Sequence, residues 1–180
     1  MEVLELLDIN KGLPGISPIE GANLYENCMV RLHRSEHISP TTLYVNGLEN
    51  TRYSIYWENT YNEMIGRTYA DEQSVTERAA VCISVLLALK QTSYTIIERA
   101  RKGTGFDYML GDKDDLYFQP KARLEISGIA KEDENNRTTT RYRLKARQTQ
   151  KSDNMELPAY VSIIEFATPK AIFGLTNSEK

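Results

Sequence analysis

Between residues 74 and 91 the chain places apolar side chains at intervals that suit a deeply buried helix. Val75, Ala79, Cys82, Ile83, Leu86 and Leu89 recur at helical spacing, and Val81, Val85 and Leu87 widen the apolar face. A face that broad predicts a helix packed against a sheet. Ser74-Val75-Thr76-Glu77 matches a capping box at its start. The chain has 180 residues, 41% hydrophobic and 26% charged, which suits one globular domain with a sizeable core.

Around this helix the pattern turns β-rich. Residues 1–22 carry Gly12, Pro14, Gly15, Pro18 and Gly21 and read as an irregular arm after a helical turn at residues 2–8. Residues 23–66 read as a β-rich extension, an antiparallel meander of three strands at 24–34, 41–45 and 52–57. Asn46-Gly47 supplies a turn, and Tyr53, Ile55 and Trp57 share one side of the third strand. Beyond the long helix, residues 94–100 read as a short strand or a turn, and strands are expected at 106–110, 122–129 and 159–167, with Gly111–Asp115 as an exposed acidic turn. Residues 131–153 are polar throughout. A helix there puts Arg137, Arg141, Lys145 and Gln148 on one stripe, and a strand is the competing reading because Tyr142, Leu144 and Ala146 alternate with charges. The fold class is therefore mixed α+β.

No apolar run approaches the ~20 residues that span a bilayer. Met1-Glu2-Val3-Leu4-Glu5 also lacks the basic region and cleavage site of a signal peptide. The expectation is a cytoplasmic protein with no membrane contact. Cys28 and Cys82 lack metal-ligand spacing and read as two buried thiols rather than a disulfide or zinc site. The net charge of −3 disfavours a free-standing, tight nucleic-acid binder, though not a local basic patch.

Two acids stand in apolar surroundings. Asp107 follows Gly103-Thr104-Gly105-Phe106, and Glu125 lies between Leu124 and Ile126 in a strand whose other face carries Leu124, Ile126 and Gly128. A buried carboxylate costs free energy unless it is paired, hydrogen-bonded or bound to a cation. Two on neighbouring strands point to a divalent-metal site built from hard oxygen ligands, which suits Mg²⁺.

From residue 74 the order helix, strand, turn, strand, helix, strand, with acids at Glu77, Asp107 and Glu125, resembles the PD-(D/E)xK, or restriction-endonuclease-like, nuclease superfamily. The resemblance covers about residues 70–168. It implies an α-β-β-β-α-β core in which Asp107 and Glu125 bind Mg²⁺ or Mn²⁺ and Glu77 assists. Ser127 stands where the family places a lysine. The family is known to move that lysine to the following helix, and Lys145 is the candidate replacement, with Arg141 and Gln148 beside it as nucleic-acid contacts. Ser127 would orient a water.

The implied activity is phosphodiester hydrolysis of nucleic acid, DNA ahead of RNA, of a restriction, repair or anti-phage type, with a homodimer as one assembly. The alternative is a catalytically degenerate subunit or adaptor whose protein partner carries the nucleic-acid affinity. Each residue also has a plainer reading. Glu77 can serve the capping box, Asp107 a turn, and Glu125 an ion pair, while the basic stripe can be a solvated helix face. Tyr44, Tyr53, Tyr56 and Trp57 could stack on bases but read first as half-buried sheet residues. His33 and His37 read as surface-loop residues, since Ser35 and Pro40 disfavour a helix.

Overall fold

The computed structural model describes residues 1–176. In chain order the strands are β1 (Glu2–Glu5), β2 (Thr41–Gly47), β3 (Thr51–Tyr56), β4 (Tyr94–Arg99), β5 (Tyr108–Asp112), β6 (Ala122–Ile129), β7 (Ala159–Glu165) and β8 (Lys170–Leu175). The helices are α1 (Pro18–Arg34), α2 (Glu63–Thr68), α3 (Glu72–Gln91) and α4 (Thr138–Thr149), with 3₁₀ segments at Leu6–Lys11 and Gln150–Met155. All eight strands form one mixed sheet in the order β1-β3-β2-β8-β7-β6-β5-β4. The strands β4, β5 and β6 run antiparallel one to the next, and β7 returns parallel to β6 after the crossover through α4.

Opposite faces of β6 serve opposite layers. Leu124 and Ile126 join the main core with α1 and α3, whose Leu24, Cys28, Leu32, Val75, Ala79, Ile83 and Leu87 are buried there. The other face packs on α4, where Ile129, Val161 and Ile163 meet Tyr142 and Ala146 in a smaller cluster. With helices on both sides, β6 is buried nearly throughout, as strands covered on both faces are. Cys28 and Cys82 are both free and buried.

Gly128 sets the distance between α3 and the sheet. A Cβ there would lie 2.4 Å from the Thr76 carbonyl oxygen, a backbone atom that moves only if the helix lifts. Gly128→Ala is expected to destabilise the fold by about 2–3 kcal/mol in urea unfolding. Unchanged stability would mean that α3 does not lie this close to β6.

Several expectations need correction. Residues 24–34 are helical, not a strand: α1 starts at Pro18, where the Ser17 side chain accepts from Glu20 N, and Leu24, Cys28 and Leu32 follow at i, i+4. Pro18 is the N1 residue of this helix and not part of an irregular arm. His33 therefore lies in α1, stacked on Tyr61, and is not a loop residue. Residues 2–8 are a strand followed by a 3₁₀ turn, because β1 finds a parallel partner in β3. The three-stranded antiparallel meander reduces to the β2–β3 hairpin, and Asn46-Gly47 lies inside β2 rather than in its turn. The cap of α3 is Asp71, which accepts from Ser74 N, so Ser74-Val75-Thr76-Glu77 is not its capping box. Of the four aromatics, Tyr53 and Trp57 are buried, while Tyr44 and Tyr56 are exposed.

Candidate functional site

The alternating face of β6 that carries Arg123, Glu125 and Ser127 ties three successive parts of α4. Arg123, 3% exposed, donates to the Thr149 and Leu157 carbonyls and to Ser152 Oγ, so it holds the C-terminal end of the helix. Glu125 Oε1 accepts from Lys145 Nζ at 2.6 Å and from Gln148 Nε2 at 2.9 Å. Ser127 Oγ accepts from Arg141 at 3.0 Å, and Arg141 also donates to Asn136 Oδ1 at 2.7 Å. At the N-terminal end of α4, Glu132 accepts from Thr138 N and from Lys170 Nζ on β8. Burial alone would raise the Glu132 carboxyl, but the hydrogen bonds from Lys170 and Thr138 outweigh it and hold the group at about 2.

Asp107 enters from the neighbouring strand. Tyr108 lies opposite Leu124, which places Asp107 across from Glu125 at the point where β5 begins. The Asp107 carboxylate bends back to take the Ile126 N–H at 2.7 Å through Oδ2. The preceding loop leans on α4. Gly105 has φ +85°, and a Cβ there would meet the Gln148 carbonyl oxygen at 2.4 Å, so glycine is needed both for the turn and for the close approach.

Asp107 and Glu125 lie within hydrogen-bond reach of each other, so the Glu125 carboxyl, when protonated, donates to Asp107; among the described residues no other group donates to Asp107 Oδ1 or to Glu125 Oε2. Glu125 is 2% exposed, and its carboxyl is pushed up to about 7 by burial and then by the Asp107 charge, against the pull of Lys145. Asp107 is raised as well, again by burial, with the Ile126 hydrogen bond and the Lys145 charge opposing. Two acids held together at this energetic cost form a site that favours a shared proton or a divalent cation. The donor set is hard oxygen, of the kind that could hold a divalent cation such as Mg²⁺ or Mn²⁺.

A cleft of about 290 Å³ opens at Asp107, lined by Glu77, Arg78, Arg99, Ser127, Arg141 and Lys145. Asp107, Glu125, Ser127, Arg141, Lys145 and Gln148 thus come together around one locus. Glu77 stands across the cleft on α3, exposed, and accepts from Gln73. Ser127 is engaged by Arg141, so its hydroxyl serves first to fix that guanidinium. Arg137 is the N-cap of α4 rather than part of the helix itself. Arg99 and Arg78 also line the cleft, and the sequence pattern alone does not single them out. The run Glu98-Arg99-Ala100-Arg101-Lys102 just before the glycine loop was the available signal for Arg99.

Among the described residues, no three His, Cys, Asp or Glu side chains converge as a metal cluster. His37 instead contacts the Phe166 carbonyl. No described helix is long and apolar enough to cross a membrane. No protein-family model, curated protein or solved structure matches this chain.

Proposed function

We propose that the chain is a metal-dependent nuclease built on a restriction-endonuclease-like core. The observation that carries this reading is the pairing of Asp107 and Glu125, two acids within hydrogen-bond reach of each other, beside Lys145 Nζ at 2.6 Å from Glu125. The run α3, β4, β5, β6, α4, β7, with three antiparallel strands and a fourth parallel to the third, supports the same reading.

In this proposal Asp107 and Glu125 hold Mg²⁺ or Mn²⁺. Such an ion, when bound, polarises a phosphate oxygen and lowers the pKa of a coordinated water. Lys145 supplies the positive charge that Ser127 cannot, and stabilises the anionic transition state. Arg141, fixed by Ser127 and Asn136, is positioned to contact a substrate phosphate, and Gln148 orients Glu125. Glu77, across the cleft, contributes through water. Nucleic acid is the substrate, with DNA ahead of RNA.

The test is cleavage of single- and double-stranded DNA and RNA with Mg²⁺ or Mn²⁺, comparing the natural protein with Asp107→Ala and Glu125→Ala. Each variant is expected to lose activity by at least on the order of 10³-fold. Equal cleavage by all three proteins removes the assignment. The adaptor reading has its own support, since Glu125 is already buried and paired with Lys145. A protein with no cleavage under any metal, and no metal-dependent stabilisation, would favour it.

A further inference from the structure

A second cleft, of about 460 Å³, meets the first at Asp107: Arg99 and Asp107 line both, and Glu125 and Gln148 face the second. Its remaining wall carries Arg101, Lys102 and Lys151. Among the described residues, none of Arg99, Arg101, Lys102 and Lys151 forms an ion pair. The protein as a whole carries a net charge of −3, so this local excess of cations runs against its overall balance. Four unpaired cations around one concave surface repel one another and hold a high concentration of counter-anions. A polyanion with regularly spaced phosphates would neutralise them and release those counterions.

We infer that this second cleft binds the backbone phosphates of a polynucleotide strand adjoining the phosphate held at Asp107 and Glu125. The inference rests on the proposed nuclease reading and extends it. Asp107 lies where the two clefts join and Glu125 faces the second, with Arg101, Lys102 and Lys151 on one side and, on the other, Arg141 and Arg78, the latter paired with Glu20. A strand can therefore continue past the acids in both directions. Such a path takes an internal phosphodiester and needs no strand end.

The experiment measures binding of a fluorescein-labelled single-stranded 20-mer, and of the matching duplex, by anisotropy in EDTA across a salt series. The proteins are the natural chain, the triple variant Arg101→Ala/Lys102→Ala/Lys151→Ala, and a control triple, Lys11→Ala/Arg67→Ala/Lys90→Ala. The cleft variant is expected to bind about tenfold or more weakly. Its slope of log K against log salt should shrink by about 0.7 for each lost contact to a single strand. The control should match the natural protein. A covalently closed single-stranded DNA circle, offered with Mg²⁺, should be opened by the natural protein.

Unchanged affinity and slope in the cleft variant, or equal losses in both triples, would overturn the inference while leaving any metal-dependent cleavage intact. A circle left whole while linear strands are degraded would also overturn it. Weakened binding by the cleft variant, in a protein that cleaves nothing, would uphold the subsite and sink the nuclease reading instead. Failure of the natural protein to bind either probe would overturn the inference.

Discussion

Glu125→Gln is expected to abolish metal-dependent cleavage and yet, at pH 8.5 without metal, to make the protein more stable by about 1–3 kcal/mol. The sign follows from the direction of the shift. Glu125 titrates at about 7 in the folded chain, above its ordinary value of 4.5, because it is buried beside Asp107. A carboxylate whose folded value is raised binds more protons in the folded state than in the unfolded one. Its cost is absent below about pH 4.5, grows as the pH rises, and is fully present above about pH 7. Glutamine keeps the shape and the carbonyl acceptor for Lys145 and Gln148 but never ionises. Urea unfolding at pH 5 should therefore show little difference between the two proteins, and at pH 8.5 a clear gain for the variant. A variant less stable at both pH values would mean that the Lys145–Glu125 pair outweighs the repulsion from Asp107. The combination of lost activity with gained stability is the mark of a residue kept for function at the expense of the fold.

The second large effect is expected from Lys145→Met, which keeps the stem of the side chain and removes its charge. Cleavage should fall by on the order of 10²–10³-fold, the scale of losing one charged group that stabilises an anionic transition state. A merely structural lysine would not also move the pH profile. Lys145 is the group that pulls the Glu125 carboxyl down, through its hydrogen bond and its charge. Without it Glu125 holds its proton to higher pH, so the acidic limb of activity should shift upward. A methionine variant with natural turnover and an unshifted limb would remove Lys145 from the site.

The site was legible because buried acids stand out in an apolar strand. Glu125 between Leu124 and Ile126, and Asp107 after a glycine loop, carry their anomaly in their immediate neighbours, and the polar stripe of α4 supplies what they face. The long helix α3 and the strand β6 were legible for the same local reason. What escaped depended on distant partners or on mixed signals. β1 is a strand because β3 lies beside it, and β8 follows Pro169 with the short segment Lys170–Leu175, paired on one side with β7 and on the other with β2. α1 resembles a strand in sequence because Met29-Val30 sits inside a wide buried helical face, and because proline suits both a turn and a helix start. The cations of the second cleft come from the 99–102 run and from Lys151, and their convergence on the acids is a matter of tertiary placement that spacing along the chain does not record.

Thermal unfolding at pH 8 with increasing Mg²⁺ tests most directly whether Asp107 and Glu125 jointly hold a divalent cation. At about a hundred times the dissociation constant, binding to the folded state alone contributes about 2.7 kcal/mol, which for a chain of this size raises Tm by roughly 5–10 °C. The natural protein should show that rise, and the double variant Asp107→Asn/Glu125→Gln should show none. A natural protein whose Tm ignores Mg²⁺ and Mn²⁺, or a double variant that responds equally, would contradict a metal site at these two acids.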